Sequence, residues 1–182
     1  MKSLSVQEPY FQEGVYYKIN KVECNGNHKY FANISCVLKP INWKRSILNV
    51  DCDIIGKMAN ANVIVEPFYR DSSNFYKPFS LQMRYDICQL LEKSKPNNFL
   101  ERYALHHLRT HTNINHSCPY TGHLYARNFT LDEVSLPPLP VQQYKISFNF
   151  TQTNPSTYLG NVLLYFESRE DYRQKKPKLH RN

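Results

Sequence analysis

The sequence predicts an all-β fold, and three observations support this prediction. Aromatic residues make up 14% of the 182 residues, with 14 tyrosines and 10 phenylalanines, a bias that suits half-buried strands better than helices. Residues 47–55 and 144–151 alternate apolar and polar side chains, as a strand with one buried face does. Asn25-Gly26 is a strong turn dipeptide between two strand-like segments. The length indicates one domain with a core of its own.

Two strands are predicted around that turn, over residues 15–24 and 30–38. In the second of them Asn33 falls on the polar face and Cys36 on the apolar face, because successive side chains of a strand alternate. If the two strands pair, Cys24 and Cys36 lie on neighbouring strands. A disulfide between them then depends on their Cα separation and on the directions of their side chains.

The strand predicted over residues 47–55 has the cleanest alternation in the chain. It places Cys52 on the inner face, and it places Asp51 and Asp53 on the solvent face rather than in a pair of catalytic carboxylates. Cys52 has two interpretations, a reactive or intermolecular thiol and a small buried hydrophobic residue. The second is favoured, because free cysteine is among the most buried residue types.

Residues 62–70 form the next predicted strand, and Pro67 places it toward a sheet edge or a bulge because proline has no N–H to donate. A short helical insert follows around residues 86–111, with helices predicted at 86–91 and 99–111. The helical period places six side chains of the second helix on one stripe: Leu100, Tyr103, Ala104, His107, Leu108 and His111.

A corner is predicted at residues 112–123, after the insert. Pro119 has no backbone donor, Gly122 tolerates a positive φ, and Cys118 can anchor this corner to another part of the molecule. The remaining predicted elements are strands at 124–131, 144–151 and 161–167 and a stiff proline-rich connector between sheets at 136–140.

Glycosylation patterns and cysteines predict a secreted, extracellular glycoprotein. The chain has five cysteines and four Asn-x-Ser/Thr patterns, at Asn33, Asn115, Asn128 and Asn149. Residues 1–20 are interpreted as an N-terminal segment, and its first residues lack the apolar region of a signal peptide. Either the signal peptide lies upstream of this sequence, or it was trimmed, or the protein is not secreted. No apolar stretch approaches the length that spans a bilayer, so no transmembrane segment is predicted.

The net charge of +8 is concentrated at the C-terminus, where residues 171–182 form a basic run. A terminal basic run that contains a proline is typical of a disordered, solvated tail. The sequence therefore predicts no nucleic-acid partner, and the glycosylation patterns weigh against one as well.

Metal binding and catalysis find little support in the sequence. His107 and His111 have the i, i+4 spacing with which one helix face can bind zinc, but no HExxH or CxxC pattern accompanies them. We interpret them as solvated histidines on the helix face. No nucleophile-elbow, phosphate-loop or dinucleotide-binding pattern is present, so we expect no catalytic residues, no metal, no cofactor and no enzyme activity.

Several motifs together resemble a known family, the insect CheB-like proteins that carry domain of unknown function 1091. The motifs occur in the family's order: Cys24, the run from Cys36 to Asn42, Tyr76-Lys77-Pro78-Phe79, the run from Asp86 to Leu91, and the run from Asn113 to Tyr120. The resemblance extends over residues 21–170. Trp43 stands where the family usually has a basic residue, and Gln143 stands where it usually has a glycine.

That family is similar to the MD-2-related lipid-recognition (ML) superfamily, whose members are immunoglobulin-like β-sandwiches that open into a lipid pocket. Cys118-Pro119 with Gly122 soon after matches the superfamily's Cys-Pro run. The resemblance implies a secreted, non-enzymatic binding domain. It implies that the ligand is a lipid, a cuticular hydrocarbon or a pheromone. It also implies a role in chemosensation, with a sensory receptor or channel as a partner.

Two further expectations follow from position in such a sandwich. We expect disulfides Cys24–Cys36 and Cys88–Cys118, the second of which would close the helical insert. We expect six inward apolar side chains to line a ligand pocket if the sheets splay: Ile64, Phe68, Phe148, Phe150, Leu164 and Phe166. The same residues also suit a fully packed core, and the protein would then be an extracellular interaction module that modulates a receptor or ion channel through its surface.

Overall fold

The computed structural model describes residues 15–93, 95–131, 136, 139–153 and 156–170. Within these ranges it has nine strands and two helices. In chain order they are β1 (Val15–Gly26), β2 (Phe31–Pro40), β3 (Ser46–Met58), β4 (Ala61–Arg70), β5 (Tyr76–Pro78), β6 (Met83–Asp86), α1 (Ile87–Glu92), α2 (Phe99–His111), β7 (Tyr120–Phe129), β8 (Gln143–Thr153) and β9 (Ser156–Glu170).

The strands form two antiparallel sheets, which confirms the predicted all-β sandwich and its short helical insert. The larger sheet has the order β1-β9-β8-β4-β5, and β6 also pairs with β4. The smaller sheet has the order β2-β3-β7. Strand β1 begins at Val15, which pairs with Glu170, so the sheet includes residues that the sequence assigned to an N-terminal segment. The basic run at 171–182 and residues 137 and 138 of the proline-rich connector lie outside the described residues.

The two ends of the sandwich differ, and we name them for their contents. At the terminal end Val15 pairs with Glu170, and β2 turns into β3. At the helical end Gly26 pairs with Gly160, and α1 and the entry to β7 follow. Each end has its own buried apolar cluster, one around Tyr144 and Phe166 and the other around Tyr120 and Leu159.

Pro67 lies where the outer ladder of β4 is interrupted. Strand β6 pairs with residues 62–65 of β4, and β5 pairs with residues 68–70. Between them the Pro67 carbonyl accepts a hydrogen bond from the N–H of Phe79 at 2.9 Å. The backbone nitrogen of Pro67, which has no hydrogen to donate, therefore points toward the gap between β5 and β6, where no strand pairing occurs. Strand β4 as a whole lies between β8 on one side and these two short strands on the other.

The buried face of α2 differs from the predicted stripe. Glu101, Leu105 and His107 are buried, whereas Leu100 is exposed. Burial of a carboxylate normally costs free energy, but the carboxylate of Glu101 accepts hydrogen bonds from the N–H of Asn97 at 2.7 Å and from Lys93 Nζ at 3.0 Å. The Asn97 hydrogen bond is the main cause of its lowered pKa, followed by Lys93. On the buried side of the first turn of α2, the sequence predicted Leu100, but the structure has Glu101, whose side chain caps the start of the helix.

Candidate functional site

A cavity of about 250 Å³ lies between the two sheets at the helical end. Both sheets, α1 and the segment after α2 contribute to its wall, and the lining is almost entirely apolar. The lining side chains include Phe31, Ile34, Val50, Cys52, Met58, Ala61, Ile87, Ile114, Tyr120, Leu124, Ala126, Phe150, Leu159 and Val162.

Both predicted disulfides are present and flank this cavity. Cys24–Cys36 joins β1 to β2 with a Cα separation of 6.3 Å, and Cys24 is part of the lining. Cys88–Cys118 joins α1 to the chain that enters β7 with a Cα separation of 5.6 Å. Since α1 and the start of β7 both contribute to the wall, the second disulfide holds two of its sides together.

Two paired glycines allow close packing at the wall. A Cβ on Gly160 would overlap the carbonyl oxygen of Asn25, and a Cβ on Gly26 would overlap the end of the Ile34 side chain. Gly160 has φ +156°, which side chains rarely adopt. Glycine at position 160 therefore lets β9 approach β1 closely where they border the cavity, and glycine at position 26 leaves room for the Ile34 side chain of β2.

The cavity walls expose few groups that can do polar chemistry. Tyr120 is buried, and its hydroxyl donates to the carbonyl of His116, so the ring rather than the hydroxyl faces the space. The hydroxyl of Thr112 likewise donates to the carbonyl of Leu108. A molecule without charge or strong polarity suits such a lining, because apolar surface is best transferred into apolar surroundings.

Cys52 lies in the wall with a protonated thiol. Burial raises the pKa of this thiol to about 11, and the neighbouring carboxylates of Asp53 and Asp51 add to the shift. At neutral pH the thiol therefore carries almost no thiolate, the form in which cysteine is a nucleophile. This arrangement favours the interpretation of Cys52 as a small hydrophobic residue.

The six predicted pocket residues divide into three groups. Phe150 lines the cavity, and Phe148 packs against both apolar clusters. Leu164 and Phe166 belong to the packed cluster at the terminal end. The remaining two, Ile64 and Phe68, were assigned to the wrong face of β4, because they lie opposite Asn149 and Lys145 of β8, which are on its outer face.

The register of β4 with β8 explains that error. Val63 lies opposite Phe150 and Val65 opposite Phe148, so these valines, not Ile64, face the interior. Phe68 instead packs on the outer surface, where Lys145 Nζ lies 4.0 Å from the centre of its ring. Sequence reasoning also missed Tyr120, Leu159 and Ile114 in the wall, because they come from a corner, a strand end and a loop without a clear period.

His107 and His111 of α2 are buried and partly buried, respectively, which corrects the prediction that they are solvated. His107 is buried, and its ring packs against those of Phe129 and His111 with centroid distances of 5.2 and 5.4 Å. His111 Nδ1 lies 3.0 Å from the carbonyl oxygen of Arg127. The helix face packs against β7, and in the described part of the chain no three His, Cys, Asp or Glu side chains are grouped to hold a metal ion.

Asp51 and Asp53 lie on the outer face of β3 and are engaged in ion pairs. Asp51 pairs with Arg127, and His123 bridges the two carboxylates through Nδ1–Asp53 at 2.8 Å and Nε2–Asp51 at 3.1 Å. The hydrogen bond with Asp53 is the main cause of the raised pKa of His123. Asn33 Nδ2 also donates to Asp53, at 2.7 Å. These contacts make the cluster a solvent-exposed charge network rather than a carboxylate pair.

In the described ranges no helix combines the length and the apolar character needed to cross a bilayer.

Comparison with known proteins finds a similarity in the central part of the chain. A search of curated proteins found no match to this chain. Residues 63–146 match the family model "Protein of unknown function (DUF1091)", a stretch that runs from β4 through the helical insert and the Cys118 corner into β8. The match contains the helix that carries Cys88 and much of the cavity wall on the β7 side. The match supports the similarity to the DUF1091 family that the motifs within residues 63–146 indicate.

Proposed function

We propose that this protein is a secreted, non-enzymatic binding protein that holds a hydrophobic ligand between its two sheets. The observation that carries the proposal is the apolar cavity of about 250 Å³ at the helical end. It exceeds the roughly 150 Å³ of an engineered apolar cavity that binds benzene, and it approaches the lower limit of about 300 Å³ typical of ligand sites.

The chemistry of the wall narrows the ligand class. A charged group would find no opposite charge among the lining side chains, so its desolvation would be uncompensated. An acyl chain or another linear hydrocarbon avoids this cost, and any polar headgroup would remain at the opening. Together with the resemblance to CheB-like and ML proteins, this supports a lipid, a cuticular hydrocarbon or a pheromone as ligand and a chemosensory role.

The wall also supports a role without catalysis. Cys52 is protonated at neutral pH, and the Tyr120 hydroxyl is engaged with a backbone carbonyl. A reaction would need a positioned nucleophile or base within reach of the ligand. Secretion is supported by the two disulfides, which persist in oxidising compartments.

Native mass spectrometry tests the proposal. The protein would be secreted from insect cells behind a supplied signal peptide and weighed before and after extraction with organic solvent. We expect a hydrophobic adduct that the solvent removes while both disulfides stay intact, and the apo protein should then bind a fluorescent fatty-acid analogue. Secreted protein that carries no adduct and also fails to bind the analogue would contradict the proposal and favour the interaction module.

The four glycosylation patterns should differ in occupancy in the secreted protein. Asn33, Asn115 and Asn128 are exposed, whereas Asn149 is half-buried in the middle of the larger sheet. Its Nδ2 donates to Ser147 Oγ at 3.1 Å, and Ser147 itself is buried. Asn33 also has an Nδ2 contact, with Asp53, but its side chain is exposed, so the degree of burial rather than the hydrogen bond distinguishes the sites. We therefore expect glycans at the first three sites and none at Asn149.

Peptide mapping after enzymatic deglycosylation measures this occupancy site by site. The variants Asn115→Gln and Asn149→Gln form a matched pair: the first should lose the mass of one glycan, and the second should keep the mass of all of them. A glycan found on Asn149 of folded protein would show this assignment to be wrong.

A further inference from the structure

The turn between β2 and β3 projects from the terminal end in a fixed shape. Asn42 Oδ1 accepts hydrogen bonds from the N–H groups of Lys44 and Arg45, both at 2.9 Å. The N–H of Ile41 donates to the carbonyl of Arg45, also at 2.9 Å. Trp43 therefore occupies the apex of an ordered turn, and binding through this turn would cost little conformational entropy.

This turn exposes large apolar side chains. Trp43 and Ile41 are 49% and 48% exposed, and Val37 on the adjoining strand is 53% exposed. The ring of Tyr16 supports the indole of Trp43 edge to face at 5.4 Å, so one side of the indole packs on the sandwich and the other faces outward. Exposed apolar groups that are held in place in this way mark interaction sites.

The charged side chains of the turn and of the strand residues next to it are cationic. Lys39, Lys44 and Arg45 lie on it, and Lys44 Nζ is 4.8 Å from the centre of the Trp43 ring. The sequence has no acidic residue between Glu23 and Asp51. A partner that fits this turn must therefore offer negative charge beside an apolar layer.

We propose that the β2–β3 turn docks this protein onto an anionic phospholipid surface. Tryptophan settles at the boundary between headgroups and acyl chains, and lysine and arginine are attracted to anionic headgroups. A bilayer accepts a narrow tip, whereas a stable protein partner needs about 800 Å² on each side, more than a turn of this size supplies. Charge complementarity and this narrow shape favour the membrane.

A second turn at the same end adds to the contact. Strand β4 runs toward the terminal end, since its Tyr69 lies opposite Tyr144 at the start of β8. The turn that follows β4 carries Phe75, which at 71% is the most exposed large apolar side chain of the described residues. With strands about 4.8 Å apart, Trp43 beside β1 and Phe75 beyond β4 would be roughly 20 Å apart along one edge.

Docking through the terminal end would orient the ligand cavity. The cavity residues of β9, Leu159 to Val162, lie about 26–36 Å along the strand from Glu170, at about 3.3 Å per residue. The docked protein therefore holds its cavity away from the lipid surface. This orientation bears on ligand entry, an inference that rests on the proposed function. A hydrophobic ligand would reach the cavity from the aqueous side rather than by direct extraction from the bilayer.

The fluorescence of Trp43 tests this proposal directly, because it is the chain's one tryptophan. The full chain would be titrated with vesicles of phosphatidylcholine alone and with an equimolar mixture of phosphatidylcholine and phosphatidylserine. With the anionic vesicles we expect a blue shift of the emission and protection from acrylamide, both weakened by high salt. Pure phosphatidylcholine should give a much smaller shift.

Two matched double variants distinguish the contribution of the turn to vesicle binding from the contribution of the protein's overall charge. Removing two cations in Lys44→Gln/Arg45→Gln should weaken vesicle partitioning about 30-fold, since each basic residue at an anionic surface contributes about fivefold. Lys29→Gln/Lys57→Gln removes the same charge at the helical end and should change partitioning less than about twofold.

A second pair of variants tests the apolar part of the contact. Trp43→Ser should abolish most sedimentation with vesicles, because the indole is the side chain that enters the interface. Tyr158→Ser changes an aromatic residue that is 50% exposed at the helical end, and it should leave sedimentation unchanged.

Four outcomes would overturn the proposal. They are an unchanged emission with anionic vesicles, an equal loss in both double-charge variants, a blue shift that depends only on protein concentration, and a shift with heparin but not with vesicles. The last two would assign the turn to self-association or to a soluble polyanion. Because ligand occupancy is measured separately by mass, failure of docking and failure of the proposed function remain distinguishable.

Discussion

Replacing Cys88 and Cys118 together by serine should lower the free energy of unfolding by about 3–4 kcal/mol. This disulfide links residues 30 positions apart, and the loop-entropy relation gives that amount for a loop of such size. For a chain of this length the loss corresponds to a fall in Tm of about 6–16 °C. Thermal unfolding followed by near-ultraviolet circular dichroism measures it, and the secreted yield should fall as well.

Two control variants show whether the effect belongs to this disulfide. Cys24→Ser/Cys36→Ser opens a shorter loop, with a sequence separation of 12, and should cost somewhat less, about 3 kcal/mol. Cys52→Ala changes a thiol that is in no disulfide and should shift the Tm least. A Cys88→Ser/Cys118→Ser protein that melts like the parent would show that the helical insert is held by packing alone.

The strands that could be predicted from the sequence are those with one buried and one solvent-exposed face. Residues 47–55 and 144–151 alternate because one face packs against the other sheet, and both segments are strands within β3 and β8. Alternation of this kind is a local pattern, which a sequence contains in full. The disulfide Cys24–Cys36 is present as expected, but pairing of its two strands across Asn25-Gly26 was the wrong reason. Asn25 and Gly26 are the last residues of β1, and β1 and β2 belong to different sheets, so this disulfide joins the two sheets.

The inward face of β4 could not be predicted in this way. Residues 63–65 are Val-Ile-Val, so no alternation marks one side as buried. Cross-strand pairing with Phe148 and Phe150 decides that Val63 and Val65 point inward, and these partners lie far along the chain, on β8. A shift of one residue moves every side chain of a strand to the opposite face, which is why Ile64 and Phe68 were misplaced together.

The distinction between a pocket and a packed core also depends on tertiary structure. The same kinds of side chain, Leu164 and Phe166 on one hand and Leu159 and Phe150 on the other, fill the core at one end and surround a cavity at the other. What differs is the set of neighbouring segments: at the helical end α1 and the corner at Cys118 contribute to the wall from outside the strands. Composition and periodicity do not show which segments will border each end of the sandwich.

The variant Cys52→Phe should weaken ligand binding about 60-fold while it leaves the fold intact. Cys52 lies in the cavity wall on β3, and the cavity of about 250 Å³ beside it has room for an aromatic ring. If the ring excludes about three methylene groups of a bound chain, the binding free energy loses about 0.8 kcal/mol for each of them. The total corresponds to a roughly 60-fold loss of affinity. We expect the Tm to be unchanged or higher, because filling a void restores contacts that its lining lacks.

Ile55→Phe is the matched control for this experiment. It introduces the same ring on the same strand, β3, but at a side chain that is 51% exposed and is not part of the cavity wall. The control should bind a fluorescent fatty-acid analogue as the parent does, and native mass spectrometry should find the same adduct. If Cys52→Phe keeps the parent's affinity, the ligand does not occupy the space between the sheets. If both variants lose binding equally, the ligand contacts the outer surface of β3, and the cavity is not its site.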